Sequence, residues 1–180
     1  GSCFLKDSKV RMADGTLKSI QDVLPGEFVV GAFGEINEVI GLDFVLLGDR
    51  YMYKINGEHD TADDHPHVTF DGKFVSCDVE AIYNEWGKIY PLFTKNGLEM
   101  KKNVGLSQGM VTEIKLGDVL KKYSESKEIL SIDKYKMDPQ TPLYNLAVGG
   151  SHTYFVNDYA VTGWPREDDF DYSRWMIKNV

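Results

Sequence analysis

Cysteine is scarce in this chain of 180 residues: there are two, Cys3 and Cys77, too few for a disulfide framework. None is needed, because a chain of this length buries about 70% of its unfolded surface on folding, and hydrophobic residues make up 42% of it. Positive charge is also short. Twenty Lys and Arg against 28 Asp and Glu give a formal net charge of −8. With no basic run, the electrostatic attraction that dominates non-specific nucleic-acid binding is missing. No stretch approaches the ~20 apolar residues of a membrane span, and the N-terminus lacks a charged-then-apolar signal pattern. The reading is one monomeric domain in a reducing setting, cytoplasmic or virion-associated, with neither nucleic acid nor membrane as partner.

Long helical patterns are missing too. Glycine occurs 17 times, and short apolar runs alternate with turn signals, which reads as β structure. Val10 to Thr16 reads as a strand entering an Asp14-Gly15 turn, followed by a short amphipathic stretch (Leu17, Ile20, Val23) that Pro25-Gly26 stops. Strands are expected at Glu27–Ala32, Glu38–Leu46 and Met52–Ile55. His67–Phe70, Asp71-Gly72 and Lys73–Cys77 have the pattern of a tight hairpin. Val79, Ile82, Tyr83 and Trp86 suit a short helix over Asp78–Trp86. Lys101-Lys102 and Ser124–Glu128 read as exposed loops and Glu113–Tyr123 as a second short helix. Leu116-Gly117-Asp118-Val119-Leu120 echoes Ile20-Gln21-Asp22-Val23-Leu24, a hint of internal duplication. The last strands are Leu143–Val148, Thr153–Val156 and, after an Asn157-Asp158 turn, Tyr159–Val161.

Three segments carry groups capable of chemistry. Cys3 stands near the chain start, where a cysteine is by default incidental unless its thiolate is accessible. Asp60-Thr61-Ala62-Asp63-Asp64-His65-Pro66-His67 sets a histidine after acidic residues, and Ser151-His152-Thr153 sets another at a turn-to-strand junction. Each histidine alone reads as a satisfied turn residue. Cys77 reads as a buried core residue in a strand, and His59 and His67 as ordinary turn and strand residues. The His59, Asp60, Asp63, Asp64, His65 and His67 group matches no standard metal spacing, so neither metal nor other cofactor is expected.

Taken in chain order, the three segments resemble the blocks of the Hint family, the hedgehog and intein autoprocessing domains. Cys3 through Gly31, with Ala13-Asp14-Gly15-Thr16 and Pro25-Gly26-Glu27, is similar to the block that opens on a nucleophile. The Thr61 to Pro66 segment resembles the block holding a Thr, two intervening residues and a His. Tyr144-Asn145-Leu146-Ala147-Val148 through His152-Thr153-Tyr154-Phe155-Val156 resembles the block near the domain's C-terminal end. The resemblance implies an all-β, Hint/intein-type β horseshoe with short helices over residues 3–163. Gly1 and Ser2 would be a scar or residual flank, and 164–180 a flank of unassigned structure.

The same resemblance implies an activity. Cys3 would attack the carbonyl of Ser2 and convert the amide to a thioester, an N-to-S acyl shift. His65 would protonate the departing nitrogen, and Thr61 would support the scissile peptide. Water, a small thiol or an amine would resolve the thioester, so the substrate is the chain's own N-terminal flanking polypeptide. Three departures bear on this. Thr61 lies four residues before His65 instead of three, so either the turn carries an extra residue or Ala62 occupies the threonine's place. Asn145 stands where intein-type members have Asp, and an amide cannot take a proton from the thiol. The end reads Ala160-Val161-Thr162-Gly163-Trp164 in place of His-Asn followed by Cys, Ser or Thr. Without that Asn, C-terminal release has no side-chain nucleophile, and His152 becomes structural. The expectation is single-turnover N-terminal cleavage without splicing. A catalytically lost structural or binding module, and a cysteine hydrolase acting in trans, are the alternatives.

Overall fold

The structure, a computed structural model, describes residues 3–85, 87–102 and 110–163. Ser2, Trp86 and the 164–180 flank lie outside the described residues. Eighteen strands are described. The first nine are β1 (Phe4–Leu5), β2 (Lys9–Arg11), β3 (Leu17–Ser19), β4 (Phe28–Val30), β5 (Ile36–Leu46), β6 (Met52–Ile55), β7 (His59–Ala62), β8 (His67–Val68) and β9 (Phe74–Ser76). Helix α1 (Val79–Glu85) follows, then β10 (Ile89–Thr94), β11 (Gly97–Lys102), β12 (Val111–Glu113), β13 (Val119–Lys122) and β14 (Glu125–Glu128). β15 (Ile132–Tyr135), β16 (Pro142–Val148), β17 (Thr153–Val156) and β18 (Tyr159–Thr162) close the chain's described part.

The turns form where the sequence supplies backbones for them. Gly15 takes φ +87°, and Asp14 accepts the Thr16 N–H at 3.0 Å and its hydroxyl at 2.6 Å, an Asx-type turn joining β2 to β3. Asn157 and Asp158 both adopt positive φ, +51° and +63°, which matches the twist of a two-residue hairpin between β17 and β18. Along β5 the buried residues alternate, Asn37, Val39, Gly41 and Asp43, the period of a strand that buries one face.

Two larger sheets and a small one result. In the first, the order β1-β16-β5-β10-β11 puts β16 between β1 and β5 and makes β5 central, with β4 also paired to it. In the second, β12-β9-β8-β18-β17-β2-β3 form the path, and β13 joins through β18 with β14 at its edge. β15, β6 and β7 form the third. Phe4, Val10, Ile20, Leu146, Tyr154, Val156 and Val161 share one core cluster, so the first strands are packed among the last.

Several sequence expectations are corrected. Glu113–Tyr123 is not a helix: Gly117 sits at φ +91° in a turn closed by the Asp118 N–H to the Lys115 carbonyl, 3.1 Å, and strands flank it. The Ile20–Leu24 and Leu116–Leu120 texts therefore fold differently, the first containing a single 3-10 turn. Lys101-Lys102 belong to β11, and Ser124 turns the chain into β14, where loops were expected. His59–Ala62 and Ile132–Tyr135 are strands that periodicity did not reveal. The short helix is confirmed from Val79 to Glu85. Cys77 follows β9 and is half-buried, beside a cluster that includes Ile55, Val75 and Tyr159.

Gly41 is where β5 and β10 approach most tightly. A Cβ there would stand 2.7 Å from the Phe93 carbonyl oxygen and 2.7 Å from Leu92 Cγ. Because the obstacle includes backbone, Gly41→Val is expected to lower unfolding free energy by about 1 to 3 kcal/mol, read as a reduced urea midpoint at unchanged slope. A wild-type midpoint would mean that the two strands can separate without cost.

Candidate functional site

Cys3 enters β1 at the meeting of two sheets. Its carbonyl accepts the Ala62 N–H at 3.1 Å, while Phe4 and Leu5 pair with Tyr144 and Leu143 of β16. The side chain is fully buried and packs with Leu47, Met52, Ala62 and Leu143. Burial pushes its pKa well above the ordinary thiol value; the Asp43 and Asp64 carboxylates add to this and the Arg50 guanidinium opposes it. The resting group is a thiol. Arg50 is held near this site by the Leu47 and Leu46 carbonyls, 3.0 and 3.2 Å, and by Asp64 at 3.4 Å.

His65 is 1% exposed, and its ring centroid lies 4.2 Å from that of Phe4, the residue after Cys3. Its Nε2 donates to the Thr162 carbonyl at 2.7 Å, so Nδ1 is the nitrogen that can exchange a proton. The Thr162 N–H donates in turn to the Pro66 carbonyl at 3.2 Å. The beginning of β1 and the end of β18 thus meet at one histidine.

Thr61 is buried, and its hydroxyl donates to the Ala62 carbonyl at 3.2 Å. Ala62, three residues before His65, is the member of this pair that packs with Cys3. Asn145 is also buried; its Oδ1 accepts the Leu146 N–H at 2.9 Å and the Tyr154 hydroxyl at 2.5 Å. His152 sits at φ +61°. Its Nδ1 donates to the Val148 carbonyl at 2.6 Å, and its own carbonyl accepts the Gly163 N–H at 2.6 Å. These bonds hold the turn between β16 and β17 against the end of β18. Cys3, Ala62, His65 and Thr162 are drawn together, and the His152 backbone is tied to them through Gly163.

Sequence reasoning missed the residues behind this layer. His59 and His67 are not ordinary turn and strand side chains: both are buried, with Nε2 atoms 2.9 Å apart. Their protonation is determined by their outer partners. The Asn157 amide donates to His59 Nδ1 at 3.0 Å, leaving His59 Nε2–H to donate to His67 Nε2, while His67 Nδ1–H donates to the His65 carbonyl at 3.0 Å. Two neutral rings thereby fix the backbone of His65. Asp43 is the second omission. It had a signal, since it occupies an inward position of the β5 alternation where an apolar residue is the rule. Among the described residues, no three His, Cys, Asp or Glu side chains gather to hold a metal, and no helix is long and apolar enough to cross a membrane.

No protein-family model and no curated protein matches the chain. Among solved structures, it is similar to the gp41-1 intein with a TM-score of 0.55 at 18% identity, covering 91% of this chain and 99% of that one. A bacterial intein-like domain from Clostridium thermocellum gives 0.55 at 18%, covering 89% and 98%. The MchDnaB-1 intein gives 0.50 at 14%, covering 91% and 100%. The chain has the intein-like, Hint-type β fold.

The paired histidines make stability depend on pH. Burial lowers both pKa values, that of His67 to about 4 and that of His59 well below its ordinary value. A lowered histidine pKa means that the unfolded chain takes up a proton before the folded one. The stability due to the neutral pair is therefore complete above about pH 6.5 and is lost as pH falls toward about 4. Asp63, raised to about 6 chiefly by burial, acts in the opposite direction over part of this window, so the comparison with a variant is the informative measurement. The stability advantage of wild type over His67→Gln should shrink by about 3 kcal/mol between pH 7 and pH 4 in urea titrations; a constant difference would rule out this coupling.

Proposed function

We propose that this chain is a self-processing domain that severs the peptide bond preceding Cys3 by an N-to-S acyl shift, with its N-terminal flanking polypeptide as the substrate. The observation carrying this reading is His65, which lies against the first strand through Phe4 and is locked by the Thr162 carbonyl at 2.7 Å. A histidine so oriented presents Nδ1 towards proton exchange near the start of the domain, and the likeness to inteins supplies a precedent for the fold.

The reaction would run as follows. The Cys3 thiol gives up its proton, and Sγ attacks the carbonyl carbon of residue 2 through a five-membered ring, forming an oxyanion. The carbon–nitrogen bond breaks, the nitrogen takes a proton from Nδ1 of a His65 protonated on both ring nitrogens and becomes the α-amine of Cys3, a thioester remains, and the proton given up by the thiol is available to restore the one His65 has lost. Water, a small thiol or an amine then releases the flank. Each chain turns over once. A thioester is less stable than an amide, so the step needs help from the site. With the Thr61 hydroxyl engaged by the Ala62 carbonyl, the site lacks one donor of a kind worth about 3 to 4 kcal/mol in other acyl transfers. The shift is therefore expected to be slow unless an external thiol draws off the thioester.

A catalytically lost module is the second reading, favoured by Ala62 beside Cys3 and by Gly163 at the C-terminal end. A hydrolase acting in trans is disfavoured, since Cys3 is 0% exposed and a separate substrate would have no route to its sulfur.

A precursor with an N-terminal fusion should break before Cys3 on addition of dithiothreitol or hydroxylamine, measured by mass spectrometry. Cys3→Ala should stop it, and His65→Ala should slow it by about 10²-fold or more while the circular dichroism spectrum stays unchanged. Cleavage of Cys3→Ala at the wild-type rate would move the nucleophile elsewhere, and an intact wild-type precursor would favour the inert module.

C-terminal scission should not occur with a segment appended after Val180, and the structure adds a steric reason to the chemical one. A Cβ at Gly163 would stand 2.6 Å from the Leu146 carbonyl oxygen and 2.9 Å from Val148 Cγ2. Replacing Thr162-Gly163 by His-Asn should therefore lower the melting temperature without yielding a C-terminal fragment. Appearance of that fragment from the double variant would show that the end of β18 can open.

A further inference from the structure

Asp43 is fully buried on β5, and the sheet register shows what it faces. Phe4 pairs with Tyr144 and Leu5 with Leu143, so continuing the same antiparallel register sets Cys3 opposite Asn145. Asn145 is in turn the cross-strand partner of Asp43. Directly opposed residues of antiparallel strands point to the same face, and Cys3, Asn145 and Asp43 therefore form one row across β1, β16 and β5. The neighbouring row supports this orientation: Leu5, Leu143 and Val45 pack in one cluster together with Cys3. An inward carboxylate in a strand is costly to bury.

The row also relates to the question raised by Asn145. Its amide cannot accept a proton from the thiol, and its Oδ1 already accepts the Tyr154 hydroxyl and the Leu146 N–H. Asp64 is the other carboxylate that acts on Cys3, but it is engaged by Arg50 at 3.4 Å, whose positive charge offsets it. Tyr154 acts as a hydrogen-bond donor here, and its burial opposes ionisation. Asp43 is the acidic group of the row itself.

Building on the self-processing reading, we infer that the Asp43 carboxylate accepts the Cys3 thiol proton, through a bridging water, as Sγ attacks the preceding carbonyl. In this step the S–H bond breaks and an O–H bond forms on Asp43, while the S–C bond forms on residue 2. The nitrogen's proton comes separately, from Nδ1 of the doubly protonated His65 ring, and the proton left on Asp43 is then available to restore it. The carboxylate's charge opposes a standing thiolate, so the thiol rests protonated and ionises only as it attacks. Asp43 thus takes, from one strand further away, a proton that position 145 cannot.

The test uses the N-terminal fusion precursor with dithiothreitol, comparing wild type, Asp43→Asn, and the exchanged pair Asp43→Asn with Asn145→Asp. Asp43→Asn is expected to slow cleavage by about 10²-fold near neutral pH and to make its rate climb with pH as free thiolate becomes the only nucleophile. The exchange moves the carboxylate about 4.8 Å closer to Cys3 and should restore the rate to within about tenfold of wild type. Cysteine 13Cβ NMR titration in a Cys77→Ser background should show Cys3 ionising at lower pH in Asp43→Asn at an unchanged urea midpoint, whereas a structural defect that opened the site would lower the midpoint as well. Wild-type rate and pH profile in Asp43→Asn would overturn the inference and leave the self-processing reading intact, as would a slowed Asp43→Asn with an unmoved titration and no recovery in the exchanged pair. An uncleaved wild-type precursor would overturn both.

Discussion

The pairing of β16 on both edges is the constraint on which the rest of this fold depends. With β1 on one side and β5 on the other, β16 joins the first described residues to the middle of the chain and leads directly into β17. Phe4 lies 140 residues in sequence from Tyr144, its partner on β16, so the pairing that seats the start of the chain closes a very long loop and forms only when the whole domain has folded. Cys3 and His65 leave water together, and both are fixed by bonds to the backbone of other elements.

Enclosure governs the electrostatics. A thiol, three histidines and several carboxylates share a region of low dielectric, where charge is expensive. The solution adopted is neutrality ordered by hydrogen bonds. Asn157, itself held at the β17–β18 turn where its Oδ1 accepts the Lys9 N–H at 3.1 Å, sets the tautomer of His59, which sets that of His67, which in turn anchors the His65 carbonyl. Tyr159 stacks on His59 at 4.8 Å and its hydroxyl donates to Glu58 at 2.6 Å, extending the arrangement to the surface. His65 is therefore held at its backbone and at Nε2.

Much of this was legible in the sequence, and what was not has physical reasons. Turn chemistry at Asp14-Gly15, Pro25-Gly26, Asp71-Gly72 and Asn157-Asp158 is local, so those joints could be read directly. β7 could not, because His-Asp-Thr-Ala has no apolar alternation: its inward groups include polar ones, His59 bonded to His67 and Asn157 and Thr61 to the Ala62 carbonyl. The stretch from 113 to 123 has helical apolar spacing, yet Gly117 needs positive φ and the flanking residues find strands to pair with, so tertiary pairing overrode local pattern. Cys3, His65 and Asn145 could be singled out as residue types in a familiar order. Asp43 offered only its inward place in the β5 alternation, since its meaning comes from register with Asn145, a relation between positions 102 residues apart.

That relation also explains how a β fold can vary its chemistry without changing its backbone. Residues directly opposite on antiparallel strands have Cβ atoms only about 5 Å apart and point to the same face, so a functional group can pass from one strand to its neighbour and still address the same space. Neither strand need shift register, which would invert every side chain along it. A carboxylate on β5 with an amide on β16 is one such distribution. At the other end of the site no such exchange is open: Gly163 lies against the Leu146 carbonyl, and the obstacle is backbone, which no neighbouring substitution removes. The start of the domain has kept room for side-chain chemistry and the end has closed, so the two halves of the site are constrained independently.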